Sequence, residues 1–329
     1  MTKNKEIDLC LCGELPRKGL SCGDTVFCII SLVFLLLTLL CSEVTTVACK
    51  EGLRICAGTL IPSLFPFMVV SSLLVSSGAA NMIGKVFSRP MRALFGISGE
   101  SSCALIMGIL CGFPIGTKTA LSLYENKKIG KNELCHLLML CNLPSSAFLI
   151  NAVGTSLFGN KKFGVLLYAV NIVSVLIIGI ITRPFLKNDE PPSKKKDKKR
   201  RQSGIALFTS AITDSAVSML YVCAFVVFFS ALVGTLESIS EALKLPSAVS
   251  PLWLGIFELT QGMTHAALCP LPKAGMLFAA ASSGWSGLSV HFQIMSICRD
   301  APVSFRPYFL SKLAAAIINT AIVALIVLR

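Results

Sequence analysis

Residues 107–121 read MGILCGFPIGTKTAL and residues 254–268 read LGIFELTQGMTHAAL. Aligned without gaps, the two share Gly108/Gly255, Ile109/Ile256, Thr117/Thr264, Ala120/Ala267 and Leu121/Leu268. Each places helix-breaking and polar residues in the middle of a membrane-type stretch. Backbone leaves the helix at that depth only where protein or a water-filled cavity surrounds it. Interruptions at matching places in two halves of a chain point to a transporter site built from a repeat.

The rest of the composition supports a membrane setting. Mean hydropathy is +0.75 and charged residues make up 14%, against about 25% in soluble domains. The predicted class is therefore an all-α polytopic membrane protein. Apolar segments fall at 25–41, 57–77, 101–121, 134–158, 163–181, 209–235, 251–268, 274–298 and 308–328. Pro144 interrupts the fourth, and the eighth is rich in Gly and Ser. The uninterrupted ones are close to the roughly 20 residues that a spanning helix needs.

Basic residues decide the orientation. With a cytoplasmic N-terminus and with 101–121 and 251–268 both re-entrant, 23 Lys and Arg fall inside and 7 outside. If 101–121 spanned instead, every later loop would invert, including the basic one, against the positive-inside rule. The re-entrant reading carries a consequence: helix 57–77 runs outward-to-inward and helix 209–235 runs inward-to-outward. The expected organisation is a cytoplasmic tail (1–24), a signal-anchor helix with connector (25–56), a first membrane repeat (57–183), a basic cytoplasmic linker (184–208) and a second, inverted repeat (209–329). The first apolar run follows Lys3, Lys5, Arg17 and Lys18 with no clean cleavage site after it, which reads as an uncleaved anchor. Between Asn81 and Ile97, apolar residues at near-helical spacing alternate with Lys85, Arg89 and Arg92. That pattern fits an amphipathic surface helix or an ordinary connecting helix.

Between Lys187 and Arg201 lie eight basic and three acidic residues, net +5. No aromatic residue interleaves the run, so nucleic acid is not an expected partner. A solvated cytoplasmic loop attracted to anionic lipid headgroups is expected. The 14 cysteines are scattered and behave as small buried hydrophobes. Cys10, Cys12 and Cys22 lack a fourth nearby ligand, so no metal site and no other cofactor is expected. The sequence allows a homo-oligomer.

Glu258 is the sharpest single position, since a carboxylate inside an apolar segment is costly and by default functional. It would bind a coupling H+ or Na+, or else hold backbone freed at the break. Thr260, Gln261 and Thr264 add polar groups beside it. In the first half, Gly112, Pro114, Gly116 and Thr117 form the partner site. Glycine admits close backbone approach, proline withholds a donor, and the helix restarting after the break offers N–H groups and a positive dipole end to an anion. Asn142 and Ser145 stand beside Pro144, and Ser286 stands in a run of serines, each within an otherwise apolar segment. The run Gly284-Trp285-Ser286-Gly287 matches the nucleophile pattern of rhomboid proteases. No later helix carries a histidine base, and a serine without a positioned base is a weak nucleophile. No enzymatic activity is expected. Free histidine titrates near neutral pH, which makes His265 and His291 candidates for a proton relay.

The stretches 60–67 (LIPSLFPF), Gly99-Glu100, 108–116, Cys141-Asn142 with Ser145-Ser146, 257–262 (FELTQG) and 287–293 (GLSVHFQ) resemble the YlbJ-type sporulation integral membrane proteins. These fall in the nucleoside-recognition "Gate" superfamily, which is similar to concentrative nucleoside transporters. The resemblance runs from about 57 to 328. It implies a transporter-like fold with two re-entrant or broken hairpins. It also implies a multi-pass location in the outer forespore membrane and movement of dipicolinic acid toward the developing spore. The glycine-rich break at 112–116 carries no carboxylate, which departs from a nucleoside site and favours a small planar dianion held by hydroxyls, helix N-termini and Lys118. A non-transporting scaffold for spore assembly and a nucleoside-type transporter are the alternative readings.

Overall fold

The computed structural model describes residues 22–77, 79–186, 204–242 and 250–329. The clustered cysteines Cys10 and Cys12, the N-terminal basic residues and the 187–201 loop lie outside them. Among the described residues there is no strand.

Helix α1 (Cys22–Leu40) belongs to a unit of its own that ends at Ser42. Its apolar side chains, among them Val26, Ile29, Leu32, Leu35 and Leu39, are exposed around the helix. A helix apolar all round belongs in lipid or in a protein core.

Residues 43–329 form the second unit. It opens with α2 (Ser42–Ile55), a π-turn at Cys56–Leu60 and α3 (Ile61–Ser76). The segment read as a connector is thus helical. It lies antiparallel to α9 (Gly204–Ala242): Thr45 Oγ1 meets Thr235 Oγ1 at 3.1 Å, a Cβ on Gly52 would stand 3.1 Å from Val227 Cα, and Cys56 Sγ donates to Cys223 O at 3.8 Å. At 1.5 Å per residue α9 is longer than a bilayer's hydrocarbon core. Helix α4 (Ala79–Pro90) follows, with a π-turn at Met91–Phe95. It exposes Met82 and Val86 while Met91 and Phe95 are buried, as an interfacial helix does.

Two runs of elements then share one order. The first is α5 (Ser102–Cys111), α6 (Ile115–Glu125), α7 (Lys131–Leu140), a π-helix (Ala147–Leu157) and α8 (Lys161–Thr182). The second is α10 (Ser250–Phe257), α11 (Leu259–Ala267), α12 (Pro272–Trp285), α13 (Leu288–Ile297) and α14 (Phe305–Val327). Both quoted stretches turn out to be helical hairpins. A Cβ on Gly116 would stand 2.9 Å from Gly108 Cα, and one on Gly262 would stand 3.0 Å from Gly255 N. In a straight helix residues eight or seven apart lie roughly 12 or 10.5 Å apart, so the chain folds back in each. The ungapped alignment is correct only up to the tips. The packing glycines are Gly108/Gly116 and Gly255/Gly262, so the second hairpin is one residue shorter, and Thr117 does not correspond to Thr264.

Among the described residues, three helices are long and apolar enough to cross a bilayer unaided: residues 161–185, 204–240 and 305–327. Residues 134–158 and 274–298 are each two shorter helices, broken at 141–146 and 286–287. Where α8, α12 and α14 cross, Asn171 Nδ2 donates to Ser283 Oγ at 2.9 Å. Asn319, in the amide orientation that satisfies its neighbours, donates to Ser174 Oγ at 2.9 Å. Such amide and hydroxyl contacts join helices in lipid. Ser283 is therefore packing glue. Ile177, Ile180, Leu310, Leu313 and Ile317 stay exposed on the outer faces.

The glycine contacts yield a direct prediction. Gly262→Val forces a branched side chain into the α10 backbone and should destabilise the detergent-solubilised protein by more than the ~1–3 kcal/mol of ordinary overpacking. Gly58→Ala, with nothing within 4 Å of its added Cβ, should melt close to the parent. Comparable melting of the two variants would refute the close packing of hairpin 2.

Candidate functional site

Hairpin 1 turns at Gly112-Phe113-Pro114. Gly112 has φ +76°, a conformation open to glycine at little cost. A Cβ there would also stand 2.6 Å from Ser145 N. The tip thus rests on the α7 break, and Phe113 N donates to Leu143 O at 3.0 Å. Hairpin 2 turns at Glu258 and rests on the α12 break in the same manner. Gly287 (φ +83°) lies against Leu259 N and Glu258 Cα, at 2.9 and 3.3 Å from its would-be Cβ. The correspondence extends to the carbonyls that end the first helix of each hairpin. Tyr168 Oη donates to Ile109 O at 2.9 Å, and Trp285 Nε1 donates to Ile256 O at 3.0 Å. Orphan carbonyls at a helix end need such donors when buried.

The two tips and the α7 break line one cavity of about 160 Å³. Phe113 and Pro114 come from hairpin 1, Glu258, Leu259 and Thr260 from hairpin 2, and Pro144, Ser145, Ala147 and Phe148 from the α7 break and the π-helix. Val290 and Gln293 of α13, Leu60 and Leu64, and Val222 and Val226 of α9 complete it. The N-terminal ends of α6, α11, α13 and the π-helix all contribute to its wall. Each brings the positive end of a helix dipole.

Glu258 is 7% exposed and is the N-cap of α11, its Oε2 accepting from Gln261 N at 2.7 Å. Thr260 faces the same carboxylate with its amide and hydroxyl. Glu258 thus caps a helix and also faces the cavity. Ser145 caps in the same way, accepting from Phe148 N at 3.2 Å.

Of the expected site residues, Pro114, Ser145, Glu258 and Thr260 line the cavity. The other six stand behind its wall. Gly112 and Gly116 provide close packing. Thr117 Oγ1 donates to Asn142 Oδ1 at 2.6 Å, and Asn142 Nδ2 donates to Leu138 O at 2.8 Å, so this pair ties hairpin 1 to the α7 break. Gln261 contributes its backbone N–H to the Glu258 cap. Ser286 is fully buried with φ +75°, and its hydroxyl donates to Ser283 O at 3.4 Å. His291, fully buried, meets Tyr308 Oη at 2.9 Å through Nδ1.

Lys118 lies elsewhere than the sequence suggested. It is on α6, donates to Ser215 Oγ at 3.2 Å, and lines a second, polar cavity of about 400 Å³ with Glu125, Asp214, Tyr221, Arg299 and Asp300. Hairpin 1 therefore borders both cavities, presenting Pro114 to one and Lys118 to the other. Lys312 also leaves the loop tally, because it sits inside α14 at 3% exposure. Removing both changes the expected tally to 21 against 7.

Sequence reasoning passed over Phe113 and Phe148, whereas Gln293, grouped in the sequence with His291 and the serine run 282–289 as a polar cluster lining a cavity, does reach the wall. No comparable signal existed for the phenylalanines, which are common in every span. Among the described residues no cluster of His, Cys, Asp or Glu could hold a metal ion.

This fold and site define an integral membrane protein of helical hairpins and broken helices. A family model described as "Gate: Nucleoside recognition" matches residues 57–161. The chain is similar to the sporulation integral membrane protein YlbJ of Bacillus subtilis (strain 168), at 25% identity over 315 residues, covering 85% of this chain and 76% of that protein. The resemblance drawn from the short motifs is borne out by both matches. No solved structure matches the chain.

Proposed function

We propose that this protein is a secondary transporter that moves a small planar organic anion across the membrane by alternating access between two inverted halves. The observation that carries this reading is the convergence of two hairpin tips, a helix break and four half-helix N-termini on one cavity. Half-helix N-termini receive the anionic groups of substrates in transporters of this architecture. Phe113 and Phe148 offer apolar surface to a ring. The cavity, at about 160 Å³, is smaller than the ~300–1,000 Å³ pockets of drug-sized ligands. That size favours a single-ring acid over a nucleoside.

The similarity to a sporulation membrane protein supports dipicolinate as the solute, carried from the mother cell toward the forespore across the outer forespore membrane. The polar cavity around Lys118, Asp214 and Arg299 is then the cytoplasmic vestibule, with hairpin 1 as the wall between it and the binding site. An ionised Glu258 repels a dianion, so the acid binds the solute state only when neutralised by a proton or a coupling cation.

The test is radiolabelled dipicolinate uptake into vesicles holding the purified protein, with and without an imposed proton or sodium gradient. Gradient-driven accumulation that unlabelled dipicolinate suppresses and uridine does not is the expected result. Suppression by uridine instead would replace the acid with a nucleoside. Absence of both uptake and solute exchange would leave the scaffold reading.

A further inference from the structure

Lys312 takes no part in the cavity, yet a lysine within an apolar span needs a reason. It is 3% exposed on α14, and among the described residues no carboxylate pairs with it. Its Nζ donates to the backbone carbonyl of Asn142 and lies 6.0 Å from the centroid of the Tyr308 ring. The titratable groups around it are Tyr308 on its own helix, His291 on α13 and Cys141 at the end of α7. None is a carboxylate. His291 Nε2 has no hydrogen-bond partner.

The place of that carbonyl matters. Cys141 is the C-cap of α7, and Asn142 follows it, so its carbonyl stands at the negative end of a half-helix. Unwound carbonyls and half-helix C-termini are where broken-helix transporters coordinate their cations. Here α14, from the second run of elements, delivers an ammonium to that position in the first. The same Asn142 is bonded to Thr117 of hairpin 1, and two residues on, Pro144 lines the cavity.

The geometry points to Lys312 as a tethered cation that fills the cation site of the α7 break, so that this break needs no free alkali ion. The inference goes beyond the transport reading and does not depend on which solute is carried. It also leaves Glu258, and not the α7 break, as the place where a coupling ion acts.

The experiment is thermal melting of the purified full chain in detergent, in choline, lithium, sodium and potassium chloride at equal ionic strength. All proteins carry Glu258→Gln, so that no ion at that carboxylate contributes, and with Lys312 intact the protein should melt alike in all four salts. Lys312→Ala and Lys312→Gln should melt lower in choline. At least one alkali salt should raise them by on the order of 5 °C, because a free ion then enters the vacated place. Alkali-specific stabilisation with Lys312 intact in the Glu258→Gln background overturns the proposal. So does identical melting of the variants in all four salts, and so does failure of both variants to fold in every salt, since the ion should rescue them. No solute enters this measurement, so a failure of dipicolinate transport leaves its outcome untouched.

Discussion

Glu258→Gln should insert normally and still exchange solute between the two sides of a vesicle, yet lose gradient-driven accumulation. The amide keeps an oxygen that can accept from Gln261 N, where Glu258 Oε2 now accepts at 2.7 Å, so the α11 cap survives. What disappears is the ability to alternate between charged and neutral forms at the tip of hairpin 2. A permanently neutral tip binds the anion in every state and couples its movement to nothing. Glu258→Ala should behave differently. It removes the cap as well, at a cost of about 1 kcal/mol, and should lower the melting temperature by about 2–4 °C. Full accumulation by Glu258→Gln would reduce Glu258 to a helix cap and nothing more.

The second large effect concerns orientation. Cysteines introduced at Lys127 and Lys273 should react with a membrane-impermeant thiol reagent from opposite sides. Both positions are exposed, the first just after hairpin 1 and the second just after hairpin 2. In the proposed topology three crossings separate them: the α7 and π-helix pair, α8 and α9. An odd number of crossings would place the ends on opposite faces, the arrangement that an inverted repeat requires. Labelling is read against the unsubstituted protein because 14 native cysteines are present. Reaction of both positions from the same side would remove the inverted repeat and the alternating-access reading with it.

The candidate site was partly legible in advance because its signals are local. A carboxylate at Glu258 and a glycine-proline break at 112–114 are conspicuous inside apolar runs, where each has a large energetic cost unless the fold uses it. Glu258 and the Phe113-Pro114 end of that break line the cavity, with Gly112 packed behind it. Thr117, Asn142 and Ser286 look equally conspicuous in the sequence, but their hydroxyls and amide are consumed by neighbours. A polar residue in an apolar span announces only that it must be satisfied, and whether a solute or a backbone carbonyl satisfies it is a matter of packing. Lys118 and Lys312 were placed in loops by the same local logic. Each stands within about a turn or two of a segment edge, and hydropathy cannot resolve that distance.

The sequence by itself determined that this is an all-helical membrane protein and that two of its apolar stretches break, and its basic residues set the expected orientation. Composition and positional charge bias act residue by residue, so no knowledge of contacts is needed to read them. Only the tertiary structure decided that both broken stretches fold back on glycine pairs, that one is a residue shorter than the other, and which polar groups reach the cavity. It alone brought Lys312 of α14 to the carbonyl of Asn142, 170 positions earlier in the chain. Contacts at such separation depend on how half-helices cross. Crossing is set by side-chain and backbone fit in three dimensions, to which periodicity along one dimension is blind.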